Sequence, residues 1–334
     1  MKKYTVKLKQ RPYDINIKPG IIKELPLLLS EYNEDQKWII ISQHKIMELF
    51  GYELEEKLKK NNFNCSNLTL PNGEAGKSIN EYNRAIEQMI DFECDRKSII
   101  IALGGGVVGD VSGFIASTFM RGIKFVNVPT TLLGMVDASI GGKTGIDFRE
   151  IKNIIGVFEF AKIILIDYRF LDTLTKRQKT AGYAEMIKHS LISKKSEFDM
   201  IKKLDSIDDI PHQMIYQSII TKVGVIDIDP LESNIRKFLN YGHTLGHSIE
   251  SHLLGTDREL LHGEAIAIGI ILETYLSFLK TGFDYNTADD IKTHINKHFD
   301  LIKFSDSDIS QVISCLLYTS PSPRDVEESR MPSS

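Results

Sequence analysis

Residues Ile101–Thr144 read IALGGGVVGDVSGFIASTFMRGIKFVNVPTTLLGMVDASIGGKT, and the fold turns on this stretch. It is entered through a short apolar run, Ser98–Leu103, rich in isoleucine and followed by glycines, which reads as a buried strand of an α/β sheet. A glycine-rich turn follows at once. Gly104, Gly106 and Gly109 match the G-x-G-x-x-G spacing and Val107–Met120 reads as a helix, so strand, glycine loop and helix start come in the order a pyrophosphate site needs. Residues without side chains let the backbone approach the phosphates, and unpaired N–H groups at the helix start face the anion.

The spacing alone leaves a second reading open, because a glycine-rich turn is needed wherever a strand reverses tightly into a helix. The acidic residue expected about 20 positions further on, where it would hold a ribose, is missing, and Phe125–Thr131 occupy its place. This is not an ordinary dinucleotide-binding opening, so the rest of the chain must decide.

The chain has 334 residues, 42% hydrophobic, with a formal net charge of -4, which suits one large or two medium soluble domains with real cores. Lys and Arg number 41 against 45 Asp and Glu, so the balance gives no electrostatic reason to expect nucleic acid or an anionic membrane as partner. Cys65, Cys94 and Cys315 form no CxxC pair, which points away from a disulfide framework or a thiolate zinc site and towards a reducing cytoplasm. The start, MKKYTVKLKQ, is charged without an apolar core, and no run is expected to reach the length of a membrane span.

Outward from the central stretch, the first half alternates strands and helices. Tyr4–Lys9, Tyr13–Ile17, Trp38–Ser42, Leu68–Leu70, Ser98–Leu103, Lys124–Val128 and Lys162–Ile166 read as strands. Helical patterns fill the segment from Pro19-Gly20 to Tyr32, then Ile46–Asn61 and Asn80–Phe92, so a largely parallel sheet with crossover helices is expected. Helical periodicity takes over from about Thr175 to Phe299, which places a boundary near residue 170 and an all-helical domain after it. At the end, Cys315–Asp325, CLLYTSPSPRD, breaks the helical pattern and resembles a translated transposase adapter. Residues 315–334 are accordingly expected to be a non-native tail, with the native sequence stopping near Ser314.

The helical half holds the metal-capable residues. His243 and His247 in NYGHTLGHSIE lie four apart on one helix face, His262 follows in LLHGEA, and Glu185 lies earlier in AGYAEMIKHS. A His/His/Glu set with an open position is a catalytic zinc arrangement, and spacing alone would make both His243 and His247 ligands. Histidines at this spacing also occur as surface residues or satisfied core residues. A second set is cationic: Arg121, Lys143, Lys152, Lys188, Lys222 and Arg236. Basic residues are mostly solvated, but Lys143 follows Gly141-Gly142 and Lys152 precedes Asn153, positions suited to aiming a cation at a small polyanion such as a phosphorylated acid.

Taken in order, GGGVVGDVSGF, MRGIKFVNVPTTLLGMVDASIGGKTGID, IKNIIG, AGYAEMIKHSLI, ESNIRKFLNYGHTLGHSIE and LHGEAIAIG resemble the 3-dehydroquinate synthase family of the sugar phosphate cyclases, over about Lys37–Leu272. The resemblance implies an NAD-binding α/β domain with a mainly parallel sheet over residues 1–170, an all-α metal- and substrate-binding domain over residues 171–314, and a homodimer. It implies a carbon–oxygen lyase of the shikimate route that acts on 3-deoxy-D-arabino-heptulosonate 7-phosphate and forms 3-dehydroquinate and phosphate. The steps implied are transient oxidation by NAD+, phosphate elimination, re-reduction and an intramolecular aldol closure. The family's zinc ligands, with Co2+ a possible substitute, fall on Glu185, His243 and His262, and His247 becomes a phosphate-contacting and proton-transfer residue. Asp137, Lys188 and Asn240 match contacts to substrate hydroxyls, Lys143, Asn153 and His247 match phosphate contacts, and Lys222 and Arg236 match residues around the carboxylate. Lys152 accompanies Asn153, and Arg121 matches an arginine that reaches the neighbouring subunit's site. Glu74, Lys77, Gly105, Gly106, Val107, Gly109, Asp110, Thr130 and Thr131 match NAD contacts.

The chain departs from the family pattern at Ser42-Gln43-His44 after the second strand, at Ile151, and at Asn234, which stands for glycine before Arg236 and is expected to tolerate a left-handed backbone. A phosphate-contacting lysine that the family carries in a C-terminal segment has no counterpart here. Two other readings share the loop and the metal group: another sugar phosphate cyclase, or a metal-dependent polyol dehydrogenase, which has no phosphate to hold. A reading of a different class is a non-catalytic, truncated relative that binds NAD or metal.

Overall fold

In a computed structural model, residues 2–6, 12–32, 36–149, 151–300 and 302–319 are described. The chain forms two compact units, one of Met1–Thr175 with Ile215–Ser233, the other of Lys176–Met214 with Asn234–Ser334. Unlike a single cut near residue 170, this division returns the segment Ile215–Ser233 to the first unit.

The first unit is built on a seven-stranded sheet of β1 (Lys2–Val6), β2 (Tyr13–Ile17), β3 (Lys37–Gln43), β4 (Asn64–Leu70), β5 (Ile99–Gly104), β6 (Lys124–Pro129) and β9 (Ile163–Ile166), in the order β1-β2-β9-β6-β5-β3-β4. Only the β1–β2 pair is antiparallel. The first expected strand is found at Lys2–Val6, and Lys7–Lys9 lie outside the described residues. Every residue of β5 is buried, as a central parallel strand covered on both faces must be, which is why it reads as a continuous apolar run. From β3 the chain steps outward to β4 and then crosses back to β5, so the order reverses at the C-terminal ends of β3 and β5. Open α/β sheets bind ligands at such a reversal.

Two features differ from the expected pattern. The segment Pro19–Tyr32 is no continuous helix but three short turns, Ile21–Glu24, Leu25–Leu28 and Ser30–Tyr32, with Pro26 at the start of the second. Residues 143–158 form an antiparallel ribbon, β7 (Lys143–Phe148) with β8 (Ile151–Phe158). Exposed Ile151, Ile154, Val157 and Phe158 spoil the alternation that marks a half-buried strand, so the sequence hides it. The helix after the glycine loop is Gly106–Thr118, and the chain leaves it through two left-handed residues, Met120 (φ 48°) and Arg121 (φ 72°).

The second unit is helical: Lys176–Leu191, Lys195–Ile201, His243–Leu253, His262–Thr281, Tyr285–His298 and Asp306–Thr319. The last helix continues through Cys315 to Thr319, where a break was expected, and Ser320–Ser334 lie outside the described residues. Val312 of this helix joins Ile249, Leu253, Ala265 and Ile268 in one apolar cluster. Asp308 ties the same helix to His252 at 2.8 Å and to Arg258 at 3.1 Å. Contrary to the sequence expectation, His262–Thr281 is by length and composition apolar enough to cross a membrane. A helix packed into a protein core meets the same test, and here Gly263 and Ala265–Ile270 are buried within the unit.

Tyr183 donates to or accepts from His294 Nε2 at 2.9 Å, and His298 and Phe198 pack against the same imidazole. Burial, with the cations of His298, Lys297 and Lys202 nearby, lowers His294 from 6.5 to about 4. The unfolded chain therefore takes this proton first as pH falls, so the stability carried by neutral His294 is complete above its unfolded value and lost on the way to about 4. In metal-free protein, His294→Gln is expected to flatten the fall of the unfolding midpoint between about pH 7 and pH 4. Parallel wild-type and variant curves would contradict this origin of acid sensitivity.

Candidate active site

In the second unit, three helices meet over the metal-capable residues. Helix His243–Leu253 starts after Gly242, whose φ is 80°, and its first N–H groups are satisfied from a distance: Glu273 accepts from Gly242 N at 2.7 Å and Leu245 N at 3.2 Å. Burial pushes the Glu273 carboxyl up, and these N–H donors pull against it. Helix His262–Thr281 is capped by Glu264, which accepts from Leu261 N at 2.7 Å. The same carboxylate is held by Arg177 of helix Lys176–Leu191 through two bonds of 2.7 Å, a bidentate clamp between the helices that carry His262 and Glu185.

The packing beneath is closer still. A methyl group built on Gly263 would overlap the carbonyl of Ala181, and one on Gly269 would overlap the carbonyl of Gly242. Any side chain at these two positions would force the helices apart.

The result is a convergent donor set. Ring nitrogens of His243, His247 and His262 lie within 4.8 Å of one another. Glu185 Oε1 is 3.6 Å from His243 Nε2 and 3.8 Å from His262 Nε2. A tetrahedral zinc ion with bonds of about 2.1 Å separates its ligand atoms by about 3.4 Å, so these two separations need only close slightly. Glu185 is fully buried and, among the described residues, neither carboxylate oxygen finds a hydrogen-bond partner of ordinary geometry, although the ammonium of Lys188 touches Oε2. A buried carboxylate whose other oxygen faces two imidazoles fits a divalent cation by its chemistry. All three histidines come together, as spacing predicts, and contacts below 4 Å to Glu185 come from His243 and His262.

Arg236 and Asn240 sit on the turn Ile235–Asn240, with Arg236 buried and Asn240 exposed. The expected left-handed backbone at Asn234 is absent: its φ is -143°, and Glu232 carries the positive φ of 62° instead.

In the first unit, the glycine loop lies at the end of β5. Gly105 caps the helix without a side-chain bond, and its α-carbon faces Thr131, leaving 3.0 Å between a built methyl and Thr131 Cγ2. Thr130 Oγ1 is buried without a hydrogen-bond partner among the described residues. Lys77 pairs with Asp110 at 2.5 Å, just inside the helix start, with Glu74 nearby. Burial acts to lower the Lys77 amine, but Asp110, Glu74 and Asp147 hold it above its ordinary value. Burial also pushes Asp110 up, the opposite of what a bound ammonium does. Ammonium in contact with carboxylate makes the charged pair the governing state, which keeps the lysine above its ordinary value. Gly106, Val107 and Gly109 belong to the same helix start. The expected cofactor residues are thus gathered around one loop.

The expected substrate residues of this unit form two ion pairs. Lys222 Nζ donates to Asp137 Oδ1 at 2.6 Å and to its carbonyl at 2.8 Å. Lys143 pairs with Glu232. Asn153 lies on β8 with φ 56°, its N–H donating to Asp147 Oδ1 at 2.7 Å, and Lys152 precedes it. Arg121 is exposed in its left-handed turn.

Sequence reasoning missed Glu232 and Glu273, and it marked Gln43 only as a departure, whereas the Gln43 amide donates to the carbonyls of Pro71 at 3.0 Å and Gly73 at 2.8 Å. Their tertiary partners leave no local signal, although Glu232 lies within the quoted ESNIRKFLN motif. The departure Ser42-Gln43 is therefore structural here, since Ser42 Oγ also donates to the Leu103 carbonyl at 2.6 Å.

A parallel nucleotide-type sheet with a glycine loop, joined in one chain to a helical unit with a His/Glu cation set, defines the class shared by the sugar phosphate cyclases and the metal-dependent polyol dehydrogenases. Comparison with known proteins narrows the class. Residues 67–181 match the family described as 3-dehydroquinate synthase N-terminal and residues 182–318 its C-terminal counterpart. The chain belongs to the 3-dehydroquinate synthase family. It is 40% identical over 309 residues to the 3-dehydroquinate synthase of Dictyoglomus thermophilum, covering 90% of this chain and 84% of the relative. It is 42% identical over 274 residues to that of Rippkaea orientalis, covering 80% and 74%. Among solved structures, 2-deoxy-scyllo-inosose synthase complexed with carbaglucose-6-phosphate, NAD+ and Co2+ superposes with a TM-score of 0.85 at 25% identity over 95% of this chain and 87% of that one. The 2-epi-5-epi-valiolone synthase from Streptomyces hygroscopicus subsp. jinggangensis, with NAD+ and Zn2+ bound, gives 0.82 at 25% over 93% and 88%. A glycerol dehydrogenase from Schizosaccharomyces pombe, at 12% identity and a TM-score of 0.62 over 93% and 84%, shares the fold alone.

Gly263→Ala is expected to destabilise the second unit by at least about 1–3 kcal/mol, the usual range for an overpacked core, and to lower its divalent-cation occupancy. Calorimetry and elemental analysis check both, and an unchanged unfolding midpoint would show that the helices separate without cost.

Proposed function

We propose that the chain carries out the 3-dehydroquinate synthase reaction. The observation that carries this reading is the buried Glu185 carboxylate turned to His243 and His262, in a chain with this family membership. Glu185, His243 and His262 would hold Zn2+ or Co2+, and the loop at Gly105–Asp110 with Glu74, Lys77, Thr130 and Thr131 would hold NAD+. When bound, NAD+ removes and returns a hydride while the metal ion polarises the oxygens that become carbonyls.

The chain's own residues supply the rest. Lys143, Asn153 and His247 would grip the substrate phosphate, with Lys152 beside them, and His247 would move a proton at a ring nitrogen as the phosphate leaves. Asp137, Lys188 and Asn240 would orient the hydroxyls. Lys222 and Arg236 would hold the carboxylate, and Lys222 is already fixed in place by its two bonds to Asp137. Ring opening and aldol closure need mainly a shaped cavity that excludes water. The substrate class is a phosphorylated sugar acid. We place the enzyme in the cytoplasm as a homodimer, with neither nucleic acid nor a membrane as partner.

Phosphate release from 3-deoxy-D-arabino-heptulosonate 7-phosphate with catalytic NAD+ tests the function. Release should be abolished by a chelator and by Glu185→Gln or His262→Ala, both of which should also lose bound zinc by elemental analysis. Net accumulation of NADH from glycerol, without phosphate release, would favour a polyol dehydrogenase instead. Arg121 stands exposed on a left-handed turn, a conformation that costs about 1–3 kcal/mol and is kept where function needs it. If it reaches a second copy, mixed dimers of Arg121→Ala with Glu185→Gln should recover part of the activity that each homodimer lacks, and no recovery would count against action across subunits.

A further inference from the structure

His262 is engaged at both ring nitrogens. Nε2 faces Glu185 Oε1 at 3.8 Å, and Nδ1 lies 3.1 Å from Glu250 Oε2. Glu250 is buried, two helical turns beyond His243 on helix His243–Leu253, whereas His262 opens a different helix and its side chain is 29% exposed.

We propose that Glu250 is a positioning residue for the metal centre: its carboxylate accepts the Nδ1 proton of His262 and so fixes both the ring plane and the tautomer whose Nε2 lone pair faces Glu185. This rests on the assignment of Glu185, His243 and His262 as ligands. Neutral imidazole has one N–H and one lone pair, so a proton kept on Nδ1 leaves Nε2 as the donor atom. A carboxylate partner also makes that nitrogen a stronger base towards a cation. The second histidine follows the same logic, because His243 Nδ1 lies 3.3 Å from the Tyr241 carbonyl while its Nε2 faces Glu185. The two histidines thus present the same nitrogen through different acceptors, one a backbone carbonyl that no substitution can delete and the other a side chain that one can.

The test is the affinity of the full chain for Zn2+, measured by competition with a chromophoric chelator, together with the visible absorption of the Co2+-loaded protein. Removing such a partner typically weakens metal binding by about 10- to 100-fold. Glu250→Ala is expected to raise the zinc dissociation constant at least about tenfold and shift the cobalt bands, with Glu250→Gln, which keeps an acceptor, between it and the wild type. If Glu250→Ala does not fold, Glu250→Gln decides alone: zinc binding weakened more than about threefold supports the role, and binding within that factor with unchanged cobalt bands overturns it. A loss of unfolding stability in the metal-free variants without a change in affinity or spectrum would also overturn it, since it would mark Glu250 as a core residue only. A wild-type chain that binds no zinc would overturn the ligand assignment itself, whereas zinc bound equally by wild type and variants overturns only the role of Glu250.

Discussion

The metal-capable cluster depends on how closely three helix backbones approach. At Gly263 the start of helix His262–Thr281 lies against the Ala181 carbonyl, and at Gly269 the same helix lies against the Gly242 carbonyl, one residue before His243. These junctions bracket the cluster. One sets the distance from His262 to the helix that bears Glu185, and the other sets the distance from His262 to His243. Glycine inside a helix costs roughly 0.5–1 kcal/mol relative to alanine, so the helix gives up intrinsic stability in exchange for geometry. Polar ties then hold the register that packing permits: the Arg177–Glu264 clamp at one junction and Glu273 on the first N–H groups of helix His243–Leu253 at the other.

The first unit works by charge rather than by close packing. Three of its lysines are each held by a carboxylate: Lys77 by Asp110, Lys222 by Asp137, and Lys143 by Glu232. Such pairing spares the buried ammonium groups the cost of standing alone in a poorly polar setting. It also fixes their positions before any ligand arrives, which lowers the ordering cost of binding. Lys143, with just over half of its side chain exposed, is the least enclosed of the three.

Much of this was legible in the sequence, and the reasons differ by element. β5 and its glycine loop are visible because a central parallel strand must be apolar throughout and the turn after it must be slim. Helix His243–Leu253 is visible through its period. The ribbon of β7 and β8 was not, because Ile151, Ile154 and Val157 are exposed apolar residues that follow no burial rule along the chain. Glu232, Glu250 and Glu273 were also invisible, since on a helix or turn an acid reads as a solvated charge, and only tertiary folding reveals that each meets a lysine, a histidine or a row of amides. Asparagine at 234 tolerates a left-handed backbone, yet the left-handed residue of this turn is Glu232, which no local preference marks.

The return of Ile215–Ser233 to the first unit bears on how the chain is made. Translation delivers the whole sheet by Ile166, yet Lys222 and Glu232 emerge only after the first helices of the other unit, including the one that carries Glu185. Until then the Lys222 ammonium that meets the four-fifths buried Asp137 has not been made. Domains generally fold as units in the order they leave the ribosome, but this one cannot finish in that order. Part of the other unit is synthesised before the last segment of this one, so the completion of the two units is interleaved in time.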